Sequence, residues 1–132
     1  MLITNKAYIK ELSSEEVVLF DGEEIVAGMT SGRNLTNSEL PSNAKKGDVR
    51  IWAGKMQNAS DLRSAPFTVT NEGVLKCQGK SGNSITLRDG TIWFVVNGKT
   101  YHLGITNNKP DWIPIEHPIT NAYFYNVTSS NG

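Results

Sequence analysis

The chain has 132 residues, a length for one domain or for an elongated module with a small domain attached. Its 13 basic and 13 acidic residues balance, so it has no cationic field to gather phosphates, which argues against nucleic acid as a partner. One cysteine excludes an internal disulfide and, with only two histidines, leaves no zinc-type Cys/His cluster.

In chain order, "NKAYIKELSSEE" over residues 5–16 is the one segment with helical spacing, Ala7 or Tyr8 with Leu12, and predicts a short N-terminal helix. Nothing at the start has the basic-then-apolar form of a signal peptide, and no run of about 18 apolar residues predicts membrane insertion. "VVLFDGEEIVAG" predicts a hairpin with a turn at Asp21-Gly22. That turn pairs Phe20 with Glu23 and Leu19 with Glu24, which mixes apolar and charged groups on both faces. Residues 29–47 lack periodicity and contain Gly, Ser, Asn and Pro, as a long loop does.

In "DVRIWAG", Val49, Ile51 and Ala53 alternate with Arg50 and Trp52, the pattern of a half-buried strand, and "KMQNASDLRS" is a second loop. Pro66 then stands at the first position of the next strand, where its missing N–H is tolerated. "APFTVTNEGVLKC" predicts a hairpin around Asn71-Glu72-Gly73 with Gly73 left-handed. That register sets Val69 opposite Leu75 and Phe67 opposite Cys77, which makes Cys77 a small core residue and not a nucleophile.

The clearest signal is "ITLRDGTIWFVVNGKTYHLGI", three strands joined by Asp-Gly and Asn-Gly turns. Two-residue turns place Ile85, Leu87, Ile92, Phe94, Val96, Tyr101, Leu103 and Ile105 on one face, and Thr86, Arg88, Thr91, Trp93, Val95, Thr100 and His102 on the other. "TNNKPDWIPIEHPIT" carries three prolines and cannot be a central strand; "NAYFYNV" predicts a final edge strand. The fold class is therefore all-β: short hairpins and a three-stranded antiparallel meander. It divides into a lead-in of residues 1–21, a β segment of 22–79 and a C-terminal meander of 80–132.

Catalytic chemistry is poorly supplied. Ser84, His102 and Asp89 supply the residue types of a hydrolytic triad, but no nucleophile elbow frames them, and His117 stands in a Pro-rich stretch. Phosphate-loop and calcium-loop spacings are missing, so no cofactor or metal is expected. Binding is better supported. Trp93, on the solvent side between Thr86 and His102, is placed to stack on a sugar ring, with Trp112, Tyr123 and Tyr125 extending the surface. The other reading of that face is a subunit contact, because an exposed Trp is costly and a small sheet has two faces to cover. Val, Ile, Leu and Phe make up only about a quarter of the chain, so burial is expected to be completed between copies.

"EEIVAGMTSG", "DVRIWAG" and "SAPFTVTNEGVL", in that order, resemble a segment of phage tail-fibre and tail-tip structural proteins, especially those of phages and prophages of Bacteroides-type gut bacteria. The likeness is carried by Ile25 to Gly28, Asp48 to Gly54, and Ala65, Pro66, Phe67, Val69, Gly73 and Leu75, over roughly residues 22–75. The meander of residues 85–105 departs from the repetitive sequence that usually follows. The resemblance implies a homotrimeric, β-rich virion part, assembled in the bacterial cytoplasm with other tail or fibre proteins. Its role would be host attachment, with a host surface glycan as a partner and with no cofactor or catalytic residues. It also implies that Trp52, Pro66 and Cys77 belong to one packing unit, with Trp52 covering the hairpin or a neighbouring subunit. The alternative reading is a stand-alone carbohydrate-binding module.

Overall fold

The structure, a computed structural model, describes residues 5–40 and 46–115. They form one open antiparallel sheet of nine strands in which every strand pairs with its neighbours in sequence. The strands are β1 (Glu16–Asp21), β2 (Glu24–Thr30), β3 (Val49–Ala53), β4 (Phe67–Thr70), β5 (Leu75–Gln78), β6 (Ser84–Arg88), β7 (Thr91–Val96), β8 (Lys99–Thr106) and β9 (Lys109–Ile115). Eight inter-strand steps of ~4.8 Å make the sheet about 38 Å across, roughly twice the length of its typical strand. The shape is a ribbon with its long direction across the strands.

The turns explain the register. Asp89-Gly90, Asn97-Gly98 and Asn107-Asn108 all have positive φ at both positions, the type I′ conformation whose twist matches that of the flanking strands. The first two hold the predicted meander in its predicted register, with Ile85 opposite Phe94 and Phe94 opposite Tyr101. The Asn-Asn turn adds β9, and the strand rich in proline lies at the border of the described sheet. The hairpin around Asn71-Glu72-Gly73 also forms as expected, with Phe67 opposite Cys77, Val69 opposite Leu75, and Gly73 at φ +81°.

Three expectations are corrected. Residues 5–15 contain no helix and every one of them is exposed. A short segment that buries no face cannot offset the cost of helix nucleation. The first hairpin turns one residue later than Asp21-Gly22: Asp21 pairs with Glu24, so Gly22-Glu23 is the loop and Phe20 meets Ile25 instead of Glu23. An irregularity between Leu19 and Phe20 then sets Leu19 opposite Ala27 instead of Glu24. Apolar matching across the strands thus overrides the dipeptide signal. In β3 the register shifts between Val49 and Ile51, leaving Arg50 as the extra residue. This bulge lets Val49 and Trp52 face the same way and breaks the simple alternation expected there.

The core lies on one face, over β1–β4. Val49, Trp52, Leu40, Met56, Leu62 and Ala65 are buried together, with Val18 and Ile25 packed against them. Four of these six come from the two loops, which fold back as a lid of the chain's own making. The first loop is pinned by a buried ion pair, Lys46 Nζ to Glu16 Oε2 at 3.3 Å. Ser38 Oγ donates to Glu16 Oε1 at 2.7 Å, and Lys46 Nζ donates to the Arg33 carbonyl at 2.5 Å. The second is shaped by a short 3₁₀ turn, Leu62–Ser64, whose N-terminal N–H of Arg63 is accepted by Asp61 Oδ1 at 3.0 Å. That turn drives Leu62 into the core.

Gly28 lies opposite Trp52, and the indole rests on its backbone. A Cβ there would overlap the Trp52 ring and stand 2.7 Å from the Val17 carbonyl oxygen. Gly28→Ala is therefore expected to lower stability by roughly 1–3 kcal/mol, read as a fall in the denaturant midpoint. An unchanged midpoint would show that ring and strand are not in close contact.

Candidate functional site: an open apolar face

Directly opposed residues in antiparallel strands point to the same side, so the register traces each face across the whole ribbon. On one side runs Val18–Gly28–Trp52–Thr68–Lys76–Thr86–Trp93–His102–Ile113. The loops cover its first half.

The other side carries Leu19–Ala27–Ala53–Phe67–Cys77–Ile85–Phe94–Tyr101–Pro114, one residue from each strand. Beside it runs a second row, Val17–Met29–Ile51–Val69–Leu75–Leu87–Ile92, which Leu103 and Trp112 continue on β8 and β9. Neither row contains a charged side chain. Leu19, Met29, Ile51, Ile85, Leu87, Ile105 and Trp112 are all exposed. Monomeric soluble proteins seldom expose an apolar patch of this continuity unless it is a contact surface. Over β6–β9 the face is hollowed into an open groove of about 520 Å³, lined by Ile85, Leu87, Ile92, Phe94, Val96, Tyr101 and Trp112. The Phe94 and Trp112 rings lie 5.8 Å apart at its edge.

The residues singled out in the sequence fall into two groups. Trp93 and His102, expected on the solvent side, are 6% and 3% exposed, with rings 4.9 Å apart. The Arg88 guanidinium lies 4.9 Å over the Trp93 ring, so three adjacent strands contribute one stack. His102 Nε2 is buried without a hydrogen-bond partner among the described residues, so the imidazole packs through its ring face. Trp112, 47% exposed, is on the opposite side of the sheet. The aromatic surface expected from the sequence is thus split by the sheet itself, and Tyr123, Tyr125 and the "NAYFYNV" strand lie outside the described residues, as does His117. Ser84 and His102 stand on β6 and β8 with β7 between them, and Asp89 is in the β6–β7 turn.

Trp52, Pro66 and Cys77 do not form one unit either. Trp52 is in the loop-covered core, whereas Cys77 is exposed on the apolar face opposite Phe67. Pro66 packs onto Gly54, which is left-handed at φ +94° and has no room for a Cβ beside the proline ring. The two sides separate because side chains alternate along a strand: Ala53 lies opposite Phe67, so Trp52 beside it, opposite Thr68, points to the other side.

A second hollow lies beside the core, bordered by Phe20, Glu23, Glu24, Glu39, Leu40 and Lys55. Lys55 Nζ reaches Glu24 Oε1 at 2.8 Å, and this hydrogen bond and charge raise the Lys55 pKa above its ordinary 10.5. Its contribution to stability is thus present below that value and lost as the pH rises beyond it. Asp61 raises Arg63 in the same way. Among the described residues no group of three or more His, Cys, Asp or Glu is placed to hold a metal ion, and no helix is long and apolar enough to cross a membrane.

The sequence did not single out the N-terminal half of the apolar face: Val17, Leu19, Met29 and Ile51. The stretches that hold the first three, "EVVLF" and "IVAGM", are nearly continuous apolar runs that assign no face by themselves, and the shifted turn and two irregular pairings set the register that does. Compared with protein-family models, curated proteins and solved structures, the chain matches none.

Proposed function

We propose that the chain is a non-enzymatic structural component of a phage virion fibre or tail appendage, completed as a homotrimer and contributing to host attachment. The observation that carries this reading is the uncharged, exposed apolar face running through all nine strands. A ribbon about 38 Å by 18 Å offers a footprint of roughly 700 Å² per copy, close to one side of a standard protein interface. Three such ribbons with their apolar faces turned inward bury one another and make a rod, the shape a fibre requires. The motif order from "IVAG" through "DVRIWAG" to "APF" supports the assignment to a fibre. Three identical attachment surfaces on one rod would gain avidity for a host surface glycan without any strong single site.

The alternative of a stand-alone carbohydrate-binding module is less well supported. Its central aromatic, Trp93, is buried, and the exposed face offers few polar groups to a sugar.

The test uses the Cys77 thiol, exposed on the face in a single chain. Native mass spectrometry is expected to find three copies, with Cys77 protected from alkylation until the assembly is diluted apart. A folded monomer at micromolar concentration with a fast-reacting thiol would overturn the proposal.

A further inference from the structure

A nine-stranded open sheet has edges as well as faces, and an edge strand is a ready template for another chain. The outer edge of β9 is built against that use. The two-residue Asn107-Asn108 turn makes Thr106 and Lys109 a hydrogen-bonded pair, and the pairing alternates from there. Asp111, Ile113 and Ile115 therefore direct their N–H groups at β8, and positions 110, 112 and 114 direct theirs outward. Pro110 and Pro114 have no N–H to offer. The N–H of Trp112 is taken by the preceding side chain, donating to Asp111 Oδ1 at 2.9 Å. All three outward donor positions of the strand are thus removed or occupied.

We propose that the outer edge of β9 is a terminator for strand addition, which confines self-association of this chain to the apolar face. The second half of this statement rests on the proposed self-association; the first does not. A strand arriving at β9 finds acceptors without donors, and the two proline rings crowd its approach. The consequence concerns the kind of assembly that forms. Pairing β1 of one copy with β9 of the next is a heterologous contact that need not close, and it would build open-ended ribbons. With β9 closed, edge pairing among the described strands has at most β1 against β1, which stops at two copies. Association through faces then proceeds without competition from growth along the ribbon.

The test is the triple variant Pro110→Val, Asp111→Ala, Pro114→Val, which restores three outward N–H groups and raises strand propensity. Light scattering is expected to show a mass at least twice that of the wild type, rising with concentration, with unchanged far-UV circular dichroism. The gain is expected to persist when the apolar face is charged by Ile51→Glu and Leu87→Glu, since edge growth does not use that face. Adding Trp112→Lys to the triple variant in the face-charged background is expected to return the mass to that of the face-charged chain alone, because a charged side chain on the edge disfavours pairing. A triple variant of wild-type mass at every concentration would overturn the terminator, whatever the wild-type copy number. A mass gain that Trp112→Lys leaves in place would do the same, since it would come from misfolding.

Discussion

Carboxylates placed on the open face, by Ile51→Glu and Leu87→Glu together, are expected to reduce the proposed trimer to single folded chains. Both side chains are already exposed in the isolated chain, at 41% and 39%, and neither belongs to the buried core cluster, so the substitutions act far less on the single sheet than on a sealed interface. In a trimer of inward-facing ribbons the same positions are sealed from water, and six carboxylates would be buried without partners. Each costs several kcal/mol after relaxation, which exceeds the binding free energy an interface of this size provides. The expected readout is a threefold loss of mass with an unchanged denaturant midpoint for the isolated chain. Leu87→Met, which conserves volume and polarity, should keep the wild-type mass. A double variant that keeps the wild-type mass would place the interface elsewhere.

Trp52→Ala is expected to bring the opposite result, a loss of folding on the covered side. The indole is the largest of the fully buried side chains, in the cluster that holds the loop residues Leu40, Met56, Leu62 and Ala65 over the sheet. Truncating a buried aromatic costs about 3–5 kcal/mol, a large share of the roughly 5–15 kcal/mol that stabilises a domain. With a urea m-value near 2 kcal/mol/M, the midpoint should fall by about 2 M. Exposure of the second loop to protease should rise with it, because Leu62 and Met56 would lose the surface they pack on. A shift below about 0.5 M would mean that the loops are held by the Glu16–Lys46 ion pair and the 3₁₀ turn instead. The pair of variants separates the two faces of one sheet: charge on the open face acts on assembly, and truncation on the covered face acts on the chain itself.

The turns between β4 and β5 and from β6 to β8 were legible in the sequence, whereas Asp21-Gly22 misplaced the first hairpin by one residue and the Asn107-Asn108 turn was not read. Asp89-Gly90, Asn97-Gly98 and Gly73 accept positive φ at little cost, so the strands β4 to β8 and the face shared by Phe94, Tyr101 and Leu103 follow from residues a few positions apart. The prolines likewise exclude the β9 segment from the middle of a sheet through the donors they lack. Tertiary packing decided what lies between distant segments. The turn at Gly22-Glu23 and the bulge at Arg50 bring Ile25, Val49 and Trp52 to one shared core at the expense of a regular ladder, and no short window contains that comparison. Trp93 stands outside the part of the sheet that the loops cover and packs against the Arg88 guanidinium and the His102 ring of the neighbouring strands, while Cys77 is exposed on the side the loops leave open. Alternation along a strand assigns a side chain to a face, but only the path of the loops decides which face of the sheet the chain itself covers.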